Sequence, residues 1–134
     1  MSWEAARVSI YGALLTAWET EYPTYTVFVP GQGEPDLTTR KTPFLTVKIQ
    51  PQRTVQSAML GATPPKRRFG TLELDFYVPE RTGDNVILTA MGILEGLFTA
   101  TTIDGIVFQR TMMPSASTAV GWTSQGFYAS FYFD

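Results

Sequence analysis

RRFGTLELDFYVPERTGDNVILTAMGILEGLF, residues 67–98, carries two different hydrophobic periods back to back, and the rest of the chain is read against it. Leu72, Leu74, Phe76 and Val78 alternate with Thr71, Glu73, Asp75 and Tyr77, the period of two that marks a strand with one covered face. Pro79 lacks a backbone donor and ends the run, and residues 80–83 have turn chemistry. The spacing then changes to Ile87, Ala90, Met91, Leu94, Leu97 and Phe98, steps of three and four that set all six on one side of a helix. Thr82 or Asp84 is positioned to cap its first free amides. A strand and a helix this close, each with one apolar face, bury those faces against each other, which predicts an α+β domain.

The chain has 134 residues, the size of a single domain, and buries roughly two thirds of its unfolded surface. Cysteine is absent, so neither disulfide nor thiolate metal site can form, and histidine is absent too, which removes the commonest acid/base group at neutral pH. The opening MSWEAARVSI lacks a basic region followed by an apolar run, and no segment approaches the ~20 apolar residues of a membrane span. The expectation is a soluble protein retained in the cell that makes it. Net charge is only −2, but it is unevenly distributed: residues 37–68 hold seven of the ten basic residues (Arg40, Lys41, Lys48, Arg53, Lys66, Arg67, Arg68) and no acid.

From the start, Ser2 stands at a helix N-cap and Glu4 suits the positive end of that helix. Trp3, Ala6, Ile10, Leu14, Ala17 and Trp18 recur at helical spacing, and Pro23 stops the helix near Thr20. TYTVFVP (24–30) reads as a strand, GQGEPDLTTRKTP (31–43) as an exposed loop, and FLTVKIQ (44–50) as a second strand with Leu45, Val47 and Ile49 inward. Residues 51–65 show no convincing period yet contain Val55, Met59 and Leu60. They are either a long loop or a hairpin whose arms continue the flanking strands. Asp104-Gly105 turns into the strand IVFQRT (106–111), residues 112–126 form a second irregular segment, and FYASFYFD (127–134) alternates again with aromatics on both faces.

No catalytic constellation is present. Glu73 and Asp75 share a strand face, but alternating polar residues on an exposed face account for them. Gly31-Gln32-Gly33 lacks the third glycine and the following helix of a phosphate loop, and no acidic run has calcium-loop spacing. No catalytic, cofactor or metal residue is assigned, and no cofactor is expected. Lys66-Arg67-Arg68 beside Phe69 would suit a nucleic-acid backbone with a stacked base, whereas the overall pI of about 5.1 argues against a dedicated binder.

Four stretches carry a resemblance to the phage tail terminator family: SWEAARVSIYGALLTAW (2–18), PFLTVKIQPQRTVQSAMLG (43–61), the block 67–98, and GWTSQGFYASFYFD (121–134). Together they cover essentially the whole chain. The resemblance implies a single α+β domain in which a mixed or mostly antiparallel sheet of about four to six strands packs against two amphipathic helices. It also implies a homo-oligomeric ring, usually a hexamer, that caps the tail tube and terminates its polymerisation. The implied partners are the major tail tube protein and a head-completion or connector protein, with DNA passing through the lumen without specific binding and no membrane involved. The implied location is the tail or neck of the virion, after assembly in the host cytoplasm. The alternatives are another neck or head-completion protein, or a small nucleic-acid-binding module using residues 37–68.

A ring needs two different, complementary surfaces on each subunit. The candidates for contacts with a neighbour or the tube are Arg53, Met59, Leu60, Lys66, Arg67, Arg68, Met112, Met113 and Trp122, drawn from the basic segment and the two irregular stretches.

Overall fold

A computed structural model describes residues 1–30, 40–56 (backbone only at 56) and 66–134. The first helix, α1 (Trp3–Glu21), starts where Ser2 Oγ accepts a hydrogen bond from the Ala5 amide at 3.1 Å. Its buried stripe is Ala6, Ile10, Tyr11, Leu14 and Trp18. Helix α2 (Asp84–Phe98) buries Ile87, Ala90, Met91, Leu94 and Phe98, the expected face apart from Leu97, which is half-buried. Its cap differs from expectation: Gly83, at φ 93°, occupies the N-cap with no side-chain bond, and Thr82 Oγ1 instead bonds the Pro79 carbonyl. A backbone turn requiring positive φ takes precedence here over a capping hydroxyl.

The strands are β1 (Thr26–Phe28), β2 (Phe44–Gln56), β3 (Lys66–Pro79), β4 (Thr102–Ile103), β5 (Ile106–Met112), β6 (Ser117–Ala119) and β7 (Trp122–Phe133). They form one seven-stranded sheet in the order β1-β2-β3-β7-β5-β4, with β6 also paired to β7. Among the described strands, only β1 and β2 pair in parallel. The count exceeds the expected four to six because β4 and β6, of two and three residues, are too short to show a period. Stretch 24–30 contributes only Thr26–Phe28 to the sheet.

The two long unpatterned stretches also resolve in part. Residues 51–56 and 66–71 are arms of a β2/β3 hairpin, with a bulge between Pro51 and Arg53 that accommodates a residue unable to donate to the ladder. The Lys66–Arg68 triplet is therefore strand. Stretch 112–126 holds the β6/β7 hairpin, which turns at Val120 and Gly121, both at positive φ.

Both helices lie on one face of the sheet. Leu45 and Val47 of β2, Leu72, Leu74, Phe76 and Val78 of β3, Phe127, Ala129, Phe131 and Phe133 of β7, and Ile106 and Phe108 of β5 join the helix stripes in one core. Trp3 meets Phe133 and Phe131 edge-on, at 5.0 and 6.3 Å between ring centroids, and anchors the start of α1. Gly70 makes room for this: a Cβ there would stand 2.6 Å from Phe131 Cζ.

Among the described residues, the opposite face carries a buried group at one end. There Phe44, fully buried, stacks on Tyr77 at 4.7 Å and meets Trp122 and Phe28 edge-on, while the Arg40 guanidinium lies 5.1 Å from the Phe28 ring and 5.5 Å from that of Phe44. This is a second, smaller aromatic cluster.

Candidate functional site

Three surfaces of the described residues stand out once the core is assigned. The first is the end of the β2/β3 hairpin. Pairing of β3 with β7 stops at Arg68 opposite Phe133, while pairing with β2 runs on to Lys66 opposite Gln56, so the last residues of the hairpin extend past β7. On the face away from the helices, the Arg53 guanidinium lies 4.6 Å over the Phe69 ring and that of Arg67 lies 4.2 Å over Tyr132, with the two rings 5.8 Å apart. Arg67 also binds Asp134 through Nε at 2.8 Å and Nη2 at 3.1 Å. That pairing holds the Asp134 carboxyl below its ordinary range and raises the guanidinium. Arg68 turns to the other side, donating to the Met1 carbonyl at 2.9 Å beside Phe133.

Arg67 and Arg68 therefore find partners within their own chain, supplied by residues at the two ends of the sequence. Arg53 and Lys66 are exposed and form no ion pair among the described residues. Val55, 46% exposed, stands opposite Arg67 on the sheet face it shares with Arg53, whereas Lys66, opposite Gln56, belongs to the other face.

The second surface is the middle of the uncovered sheet face, where Lys48, Glu73, Asp75 and Tyr128 lie side by side on β2, β3 and β7. Burial, and secondarily Glu73, pushes the Asp75 carboxyl above its ordinary value, and Asp75 in turn raises the Tyr128 phenol. Pro114 closes over Gly126 beside Asp75, held by the Gln125 side-chain amide donating to the Pro114 carbonyl. Among the described residues no group of carboxylates is arranged to hold a metal ion.

The third surface was not anticipated. Between the outer sides of α1 and α2 runs an open groove of about 910 Å³, walled by residues including Val8, Gly12, Ala13, Ala17, Ile93 and Leu97, with Glu21 and Asp104 also on its lining. The signal for it in the sequence is the set of small residues on the α1 side away from the core, Gly12, Ala13 and Thr16, which the core periodicity leaves aside; Ala17, expected in the buried stripe, is only half-buried and lines the groove as well.

Of the expected contact residues, Arg53, Lys66, Arg67 and Arg68 gather at the hairpin end. Met112 (60% exposed) and Met113 (39%) lie elsewhere on the surface, at and just after the end of β5, with Met112 opposite Tyr128. Trp122 is 5% exposed and packs on Phe44, so it is a core residue of the second aromatic cluster and is withdrawn from the contact set. Met59 and Leu60 lie outside the described residues. No described helix is long and apolar enough to cross a membrane.

No protein-family model matches the chain, and no curated protein is similar to it. Solved structures do match: one, 13% identical, superposes over 100% of this chain and 96% of its own with a TM-score of 0.74. At that identity the likeness shows the fold alone. The chain is thus a single α+β domain with two helices on one face of a mixed seven-stranded sheet.

Proposed function

We propose that this protein is a tail terminator: a virion protein whose subunits form a ring on the head-proximal end of the tail tube, stop its growth, and offer their other face to the head. The reading rests on the resemblance along essentially the whole chain. One structural observation carries it further: the subunit bears two unlike surfaces, a cationic hairpin end and an apolar groove with acids on its lining, where a symmetric dimer would need only one self-complementary patch. A ring that binds the last tube ring without reproducing its binding surface ends polymerisation by geometry alone. Weak subunit contacts suffice, because a tube end presents several sites together and raises the effective concentration of neighbouring subunits.

Deleting the gene from its virus tests this. Filled heads beside unattached tails of irregular, excessive length are expected. Tails of normal length joined to heads overturn the terminator reading and favour another neck or head-completion role.

A second reading has one observation in its favour. The arginine–aromatic pairs Arg53/Phe69 and Arg67/Tyr132 resemble a stacking platform for nucleic acid. It requires duplex or single-strand binding that falls steeply with salt and is lost on Arg53→Ala. Salt-independent or absent binding removes it.

A further inference from the structure

We infer that residues 113–116 form a strap across the sheet face away from the helices, latched over Gly126 while the Asp75 carboxyl is protonated and loosened when it ionises. The inference stands apart from the ring reading.

The strap fills a gap in the ladder. β5 leaves β7 at Met112, opposite Tyr128, and β6 rejoins it at Ser117, opposite Ser124, so Gln125, Gly126 and Phe127 have no strand partner on that side among the described residues. In place of ladder bonds, the Gln125 side-chain amide donates to the Pro114 carbonyl and to the Gly126 carbonyl, and Pro114 has no N–H to add. Gly126 is buried under this contact. A Cβ there would stand 2.9 Å from Pro114 Cγ and 3.3 Å from Asp75 Oδ1, so the proline ring and the carboxyl crowd the same spot.

The ring thus takes space in which water would otherwise solvate the carboxyl, and a charge loses more by that than a neutral acid does. Around Asp75, β3 supplies Glu73, which repels it, and Tyr77; β7 supplies Tyr128; and β2 supplies Lys48, opposite Glu73. Arg40 lies over Phe44 at one end of this face, and Arg110 is on β5 beside Ser130. Among the described residues none of these cations forms an ion pair with Asp75, and residues 113–116 carry no charge. Burial first and Glu73 second raise the carboxyl above its ordinary value in the latched form. Latching is therefore complete below the ordinary carboxylate value and is lost as pH rises through the raised one. One glutamine side chain and one proline ring hold the strap, so a modest penalty on the ionised carboxyl shifts the balance. Release uncovers the Glu73–Asp75 pair and the backbone of residues 125–127.

NMR on the unaltered protein, from acid to neutral pH, tests this by following the Asp75 carboxyl resonance together with the cross-peak between the Pro114 ring and the Gly126 α-protons. The cross-peak is expected to weaken with the same midpoint as the carboxyl titration, and in Asp75→Asn to keep its full strength throughout. Glu73→Gln should move both midpoints down together. Pro114→Gly, which removes the ring, should lower the Asp75 midpoint toward the ordinary carboxylate value. A cross-peak that stays constant through the titration of Asp75, or that weakens equally in Asp75→Asn, overturns the latch. So does an Asp75 midpoint unchanged by Pro114→Gly.

Discussion

Arg67 and Asp134 face each other at the end of the β3/β7 ladder in a two-point hydrogen-bonded pair, 2.8 and 3.1 Å, with the guanidinium laid over Tyr132. Sixty-seven residues apart in sequence, they close the sheet at the end where the hairpin leaves it. Both are exposed, so salt should weaken the pair. The carboxyl is depressed in the folded state. Its contribution is therefore present above the ordinary carboxylate pKa and is lost as pH falls through the depressed value. Asp134→Asn should remove this part of the acid sensitivity and little else, read by chemical denaturation from neutral to low pH. An unchanged acid limb would show that the pair is not populated in solution.

Asp75 has the opposite sign. Burial raises its folded pKa, so its stabilising contribution is complete below the unfolded carboxylate value and is lost as pH rises through the folded one. Glu73 on its own strand, Lys48 on β2, and Tyr77 and Tyr128 are the titratable groups around it. Asp75→Asn is expected to stabilise the monomer at neutral pH, with the gain shrinking toward acid. Equal stability of the two proteins across the range would place Asp75 in a better-solvated setting than the fold gives it.

Leu94 is fully buried between α2 and the sheet. Leu94→Ala leaves a cavity and should cost about 2–5 kcal/mol, visible as a lower midpoint in urea with an unchanged slope. A variant as stable as the parent would refute the core assignment.

Two glycines should respond in opposite directions to the same added methyl group. At Gly70 the new Cβ meets the Phe131 and Trp3 rings at 2.6–3.1 Å, so Gly70→Ala overpacks the core and is expected to destabilise by about 1–3 kcal/mol. Gly12 sits mid-helix on the outside of α1 with open space around it, and Gly12→Ala should stabilise the monomer by about 0.5–1 kcal/mol. Thermal melts at low protein concentration separate the two effects.

The elements that were legible in advance are those whose one covered face repeats a period. β3 from Leu72 onward, α2, α1 and the first half of β2 are of this kind, because burial against a single layer selects apolar residues at fixed intervals. The strand pieces that escaped reading are β4 and β6, and the hairpin arms 51–56 and 66–70 stayed undecided between a long loop and continued strands. The first two are too short to repeat, and the arms extend beyond or to the margin of the helix-covered region, where nothing selects an apolar face. Trp122 was misread for a related reason: an isolated tryptophan in an irregular stretch resembles a surface anchor until Phe44, nearly eighty residues earlier, is seen to receive it.

The residues by themselves determined the α+β class, the two amphipathic helices, the polarised charge and the want of histidine and cysteine chemistry, all properties of local pattern and composition. Only the tertiary structure decided that both helices share one sheet face, leaving a groove between their outer sides, and that Arg67 and Arg68 are engaged by Asp134 and Met1 while Arg53 and Lys66 form no described ion pair. A hydrophobic period records that a side is covered, but not by what. The partner of a charge is set by strand register and by the meeting of chain ends, which depend on contacts between residues far apart in the sequence.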